Sequence, residues 1–359
     1  MIQHSSSEIR GEDFRYLQSV VDENYIGSGR LCNQFSSSLA TYSNREFALL
    51  ADSGTAALEL ALYGLKQLKP KAENILVSSY ICTGVISAIL RQGLKPVLID
   101  VVEQSMNIDL TIAKNYLDQN ALCILLTNVG GIPDDYKSAL ELDCLIVSDC
   151  AQSLGATYQE NQLTSLGDVA VTSFGPTKVI TAGSGGAVLL DNQEIFNLVQ
   201  KNSVEDLPQK DYLEYGFRAT MGQHFGDLNA GLGSSQLARL PETLIARKTI
   251  AQGYTSLLQT QKSIVLPRVM PASEPNNFRY YFFSDYASEW INYLRSKEVD
   301  ARASIAHDVS LYLNCSKRMR NLRVNTRRLV SLPIYPVLCH SDFQFISEII
   351  QRGIDKGLK

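Results

Sequence analysis

The sequence predicts an α/β protein: a three-layer α/β/α large domain around a mostly parallel sheet, followed by a smaller α+β domain. Three observations carry that prediction. Short apolar runs alternate with longer helix-patterned segments from residue 47 to residue 191, as a parallel sheet covered by helices on both faces requires. The alternation stops after Leu190. The remaining chain mixes strand-like and helix-like stretches without that order.

Seven runs read as strands: 47–52, 74–79, 96–101, 122–128, 144–149, 169–174 and 187–191. Each is short, apolar and bounded by turn or polar residues. Helices are expected at 55–66, 83–92, 111–119 and 134–140, each opened by a Thr, Asp or similar residue able to cap free N–H groups. Only about a dozen residues, with no clear helix, separate the last two strands, which fits an antiparallel pair. Residues 237–258 read as one long helix with Pro241 inside it or near its start. The domain boundary is placed there: residues 1–240, with an N-terminal arm, form the large domain and 241–359 the small one. In the small domain 280–284 is strand-like, a helix lies around 289–297 and a final helix starts at Ser341.

The chain has 359 residues, 45% of them hydrophobic and 19% charged, so about three quarters of its unfolded surface can be buried without disulfides or a structural metal. Its net charge is −4, which disfavours nucleic acid or an anionic membrane as a partner. The seven cysteines form no CxxC pair and read as reduced residues of a cytoplasmic protein. No signal peptide or membrane-spanning run is expected. Four well-separated histidines give no metal site. One segment, 317–328, holds six basic residues and no acidic one; it is either a solvated face or a phosphate-facing patch.

Chemistry concentrates at strand ends, where open α/β sheets bind ligands. Ser53-Gly54-Thr55-Ala56-Ala57 lies at a strand-to-helix junction, and reads either as a helix cap or as a phosphate site at the positive end of a helix. Asp149 finishes an apolar strand, either as a helix N-cap or as a buried carboxylate awaiting a cation. Beside it, Ala151-Gln152 can cover a flat ligand. Lys178 sits between an apolar strand ending at Ser173-Phe174-Gly175 and a turn, Ala182-Gly183-Ser184-Gly185-Gly186; it is a solvated surface residue or a desolvated amine able to form a Schiff base. Together the three form a phosphate cradle, a partner for a cationic ring nitrogen and a Schiff-base lysine, the set that pyridoxal phosphate needs.

With these motifs in this order, the sequence resembles the DegT-type family of sugar aminotransferases. The matching pieces run from Ser53-Gly54-Thr55-Ala56-Ala57-Leu58 through Pro96-Val97-Leu98-Ile99-Asp100, Asp149-Cys150-Ala151-Gln152-Ser153-Leu154-Gly155-Ala156, Ser165-Leu166-Gly167-Asp168, Ser173-Phe174-Gly175-Pro176-Thr177-Lys178 and Gly185-Gly186-Ala187-Val188 to Ser331-Leu332-Pro333-Ile334-Tyr335-Pro336. The resemblance implies the pyridoxal phosphate transferase fold of type I with a seven-stranded large domain, and a homodimer with shared active sites. It also implies that an amino group passes from glutamate or glutamine to a keto sugar, nucleotide-linked by the same expectation. By this resemblance Lys178 holds the cofactor and shuttles the proton, Asp149 pairs with the ring nitrogen, Gly54, Thr55 and Ser173 bind the phosphate, and Gln152 lies against the ring. Cys82 stands where the family stacks an aromatic. Asn128 in Asn128-Val129-Gly130-Gly131, His307, Arg328 and Tyr335 are candidates for the substrate pocket, and Ser184 replaces a frequent Glu. Two other readings are a pyridoxal phosphate-dependent sugar dehydratase, whose relatives carry His in place of Lys178, and a catalytically inactive cofactor-binding regulatory protein.

Overall fold

The computed structural model describes residues 1–203 and 220–358. Helices α1 (Asp13–Asp22) and α2 (Arg30–Tyr42) precede strand β1 (Phe47–Ala51). Then come α3 (Gly54–Leu68), β2 (Asn74–Ser78), α4 (Thr83–Arg91), β3 (Lys95–Ile99), β4 (Ala121–Leu126), β5 (Leu145–Asp149), β6 (Val169–Ser173), β7 (Gly186–Leu190) and α5 (Gln193–Ser203). The seven strands form one sheet in the order β1-β7-β6-β5-β4-β2-β3. Only β7 runs against its neighbours, β1 and β6; the other pairings are parallel. The short link between β6 and β7 leaves no room for a crossover helix, hence the antiparallel pair.

Side chains alternate across this sheet with period two. Cys123 and Leu125 of β4 join the core under α3, with Leu58, Leu62 and Val188. Ile124 and Leu126 face the opposite side, with Leu76, Ile146 and Tyr136. Both faces are covered, so both residue sets must be apolar.

Helices α6 (Asp227–Ala238) and α7 (Leu240–Leu258) lead to β8 (Ile264–Val265), β9 (Tyr280–Ser284), α8 (Ala287–Ser296), α9 (Arg320–Arg328), β10 (Leu329–Leu332) and α10 (His340–Asp355). Strands β8, β9 and β10 make a separate antiparallel sheet. Its core contains Tyr254, Phe282, Trp290, Val330 and Ile346.

Two expectations are corrected. The long helix over 237–258 is two helices with Arg239 between them. Pro241, near the start of α7, has no N–H to donate to the carbonyl four residues back, so the helix restarts. Arg239 instead clamps Asp13 of α1 with contacts of 2.5 and 2.8 Å. Second, the helix expected over 111–119 is one turn, Leu110–Ala113, capped by Asp109 and followed by a 3-10 turn, Lys114–Tyr116. The first residues of the N-terminal arm lie against the second sheet: Ile2 bridges Val299, and buried His4 Nε2 is 2.9 Å from Ser331 Oγ of β10. Among the described residues no helix is long and apolar enough to cross a membrane, and no cluster of His, Cys, Asp and Glu is suited to a metal.

Candidate active site

At the β1–α3 junction Ser53 is extended, and its Oγ accepts the Ala56 N–H at 3.1 Å. That cap starts α3 at Gly54 and leaves the first amides of the helix free, with the positive end of its dipole. Gly54 is required for packing: a Cβ there would lie 2.6 Å from Cβ of Ser173, the last residue of β6. Gly84 likewise makes room for Thr55, whose Oγ1 would be 2.7 Å from a Cβ at 84. Two glycines thus bring a helix N-terminus and the hydroxyls of Thr55 and Ser173 together as an anion-binding pole.

Asp149 ends β5, the middle strand of the sheet, and is buried. No helix follows it; one carboxylate oxygen accepts the Ala151 N–H at 2.9 Å, and the other has no hydrogen-bond partner among the described residues. Burial raises its pKa, opposed by the Ala151 amide and by the charge of Lys178. Burial in turn lowers the pKa of Lys178, opposed by Asp149 and Cys82. Each group therefore offsets part of the other's desolvation. Nζ of Lys178 stands 5.6 Å from the centre of the Phe278 ring.

These residues surround one cavity of about 200 Å³, lined by Gly54, Thr55, Cys82, Asp149, Gln152, Ser173 and Lys178 together with Ser53, Gly84, Thr127 and Ala151. All seven residues expected at a cofactor thus meet in one place. Gln152 is oriented by Gly130, whose N–H donates to its Oε1 at 2.9 Å. Cys82 opens α4 and is exposed.

The four substrate candidates fare differently. His307 pairs in register with Ile81, the neighbour of Cys82, and so lies on the strand pair that borders the cavity. Asn128 is fully buried in the left-handed region, φ 45°. Its amide N–H groups go to Leu126 O, Tyr136 Oη and Asp149 O, and its Oδ1 accepts the Asp134 N–H. No polar atom is left for a substrate, and the residue braces the turn behind Asp149. Tyr335 is buried in the second core. Arg328 forms an ion pair with Asp285 at 2.7 Å, and five of the six basic residues in 317–328 are exposed. That segment is a solvated face.

Sequence reasoning missed Thr127, whose buried Oγ1 lines the cavity and has no hydrogen-bond partner among the described residues, and Phe278 and Arg279, which stand near Lys178. Thr127 follows the apolar β4 just as Asp149 ends β5, and that position was the available signal. For Phe278, a hundred residues from Lys178 in the chain, no local signal existed.

The chain matches the DegT/DnrJ/EryC1/StrS aminotransferase family over residues 7–351. It belongs to that family. It is accordingly a pyridoxal phosphate-dependent aminotransferase. Similar curated proteins include GDP-perosamine synthase of Vibrio cholerae, 22% identical over 98% of this chain and 99% of that protein. Another is dTDP-4-dehydro-2,3,6-trideoxy-D-glucose 4-aminotransferase of Saccharopolyspora spinosa, 23% identical over 96% and 94%. Among solved structures, the aminotransferase TlmJ from Streptoalloteichus hindustanus superposes with a TM-score of 0.91 at 21% identity, covering 99% of each chain. Helicobacter pylori PseC, an aminotransferase involved in pseudoaminic acid biosynthesis, gives 0.90 at 18%, again over 99% of each. These likenesses support the fold expected from the sequence, a large mostly parallel seven-stranded sheet with a smaller second unit.

Proposed function

We propose that this aminotransferase moves an amino group from glutamate or glutamine to the keto group of a nucleotide-linked sugar. The observation that carries the reading is the meeting of a buried carboxylate, Asp149, and a half-buried amine, Lys178, at one cavity that also receives the N-terminus of α3. The residues fit pyridoxal phosphate: the uncapped α3 amides with Thr55 and Ser173 suit its phosphate, and the unpartnered Asp149 oxygen suits its ring nitrogen. Gln152 and Cys82 would lie against the ring, where a thiol packs more weakly than an aromatic. When bound, the cofactor supplies an electron sink for carbanion chemistry.

Lys178 does the protein's share of the chemistry at Nζ. Its lowered pKa increases the neutral amine, which would serve as the nucleophile that holds the cofactor and, once released, as the base that takes up and returns a proton at Nζ. Asp149 keeps a negative charge opposite a cationic partner. The names of the similar proteins, with their GDP- and dTDP-linked sugars, support a nucleotide-linked acceptor. Lys178 stands against the dehydratase reading. The division at residue 240, a homodimer and a cytoplasmic setting, which the seven unpaired cysteines favour, belong to the same proposal.

Mixing the purified protein with pyridoxal phosphate should give visible absorbance, which glutamate or glutamine should bleach. Borohydride should trap the cofactor on Lys178, and Lys178→Ala should abolish the trapped adduct. Retention of the adduct would move the covalent role to another lysine; absorbance that no amino donor bleaches would leave a non-catalytic binder.

A further inference from the structure

Arg279 does not line the cavity, yet it stands beside it. Its backbone N–H donates to Gly130 O at 3.0 Å, and Gly130 orients Gln152, so Arg279 is tied to the turn that shapes the cavity wall. Its guanidinium carbon lies 4.1 Å from the centre of the Phe278 ring, the ring on which Lys178 Nζ stands at 5.6 Å. Among the described residues the side chain makes one hydrogen bond, from Nη1 to Phe278 O at 3.3 Å, and no carboxylate of those residues pairs with it. Asp300, an acid of the same region, is engaged by Arg302 at 2.7 Å. Burial and the charge of Arg302 hold its pKa down, to about 10, so it remains a cation at neutral pH.

A largely buried guanidinium with donors to spare is costly unless an anion completes it. The anion must be one that comes close to Lys178. In an amino acid the α-carboxylate and the reacting nitrogen are attached to the same carbon, so the carboxylate necessarily arrives next to the lysine. The diphosphate of a nucleotide sugar is separated from the reacting keto carbon by sugar-ring atoms. Proximity therefore selects the donor.

We infer that Arg279 is the specificity-determining residue for the amino donor, binding its α-carboxylate from the Phe278 side of the cavity. The inference rests on the proposed transamination. The same guanidinium admits the keto acid that the donor becomes, because that product keeps the carboxylate.

The test compares wild type, Arg279→Gln and Arg279→Lys, all loaded with cofactor. The glutamate concentration giving half-bleaching should rise on the order of 100-fold in Arg279→Gln, the loss expected when one member of a buried charge pair is removed. Arg279→Lys should recover about tenfold of that, since an ammonium keeps the charge and loses the fork. An amine without a carboxylate, 1-phenylethylamine, should bleach all three alike. Calorimetric titration with glutarate, which cannot react, should show binding to wild type and none to Arg279→Gln, with melting temperature and cofactor content unchanged as a check on folding. The inference is overturned if Arg279→Gln keeps its affinity for glutamate and glutarate, or if it loses affinity for guanosine diphosphate instead. Failure of wild type to be bleached by any donor would strike at the proposed transamination, while glutarate titration would still report on Arg279.

Discussion

At the residue scale, polar groups closing apolar strands mark this site because desolvation is costly there and some partner must offset it. Asp149 and Lys178 were legible for that reason. Asn128, a substrate candidate from the family resemblance, closes an apolar strand in the same way, but its side chain is consumed by Leu126, Tyr136, Asp149 and Asp134. A sequence shows that a buried amide needs partners, not which ones reach it. Gly54 allows a sharper prediction. Alanine is favoured over glycine within a helix by about 1 kcal/mol, but its Cβ would fall 2.6 Å from Ser173 Cβ, a neighbour with no flexible end to move. Overpacking of this kind costs about 1–3 kcal/mol and should win. Gly54→Ala is therefore expected to lower the melting temperature and to weaken cofactor affinity at least tenfold, as measured by spectral titration.

At the scale of elements, every strand of the large sheet was found from its apolar run, because a doubly covered strand must be apolar at consecutive positions. Helix ends were less legible. The break at Arg239 depends on Pro241, visible in the sequence, and on Asp13, which lies 226 residues away. The N-terminal arm gives a pH prediction. Burial, with the nearby Arg279 and Arg302 charges, lowers the His4 pKa to about 3, against a smaller opposing effect of Asp300. The ordinary histidine value is higher, so in this range the unfolded chain binds the extra proton. The arm's contribution is thus fully present above about pH 6.5 and is lost as pH falls toward 3. Denaturant unfolding should show stability falling with acid by up to about 1.4 kcal/mol per pH unit, and His4→Gln should flatten that slope. An unchanged slope would show that His4 is not the titrating group.

At the scale of the whole molecule, the two sheets have separate cores, and the helix pair α6–α7 and the arm cross between them. The face formed by α2 and the end of α6 carries a broad cavity of about 1030 Å³ lined by Tyr16, Arg30, Gln34 and Tyr42 among others, and Tyr25 and Ile26 are exposed on the segment leading into α2. Such an apolar-rich, concave face suits contact with a second copy. Light scattering on a size-exclusion column should return twice the 39.7 kDa chain mass; a mass equal to one chain would exclude the homodimer.

The sequence by itself determined the strand order along the chain, the antiparallel last pair and five of the residues that line the candidate cavity, Gly54, Thr55, Asp149, Gln152 and Lys178, because each depends on local apolarity, turn chemistry and small residues at strand ends; Cys82 and Ser173 came from the family resemblance. Only the tertiary structure decided that Asn128, Arg328 and Tyr335 stand outside that cavity and that Thr127, Phe278 and Arg279 stand at or beside it. Those outcomes depend on which distant groups satisfy a buried donor or charge. The partner of a buried polar group is chosen by the packing of the whole chain, and no local window of sequence contains it.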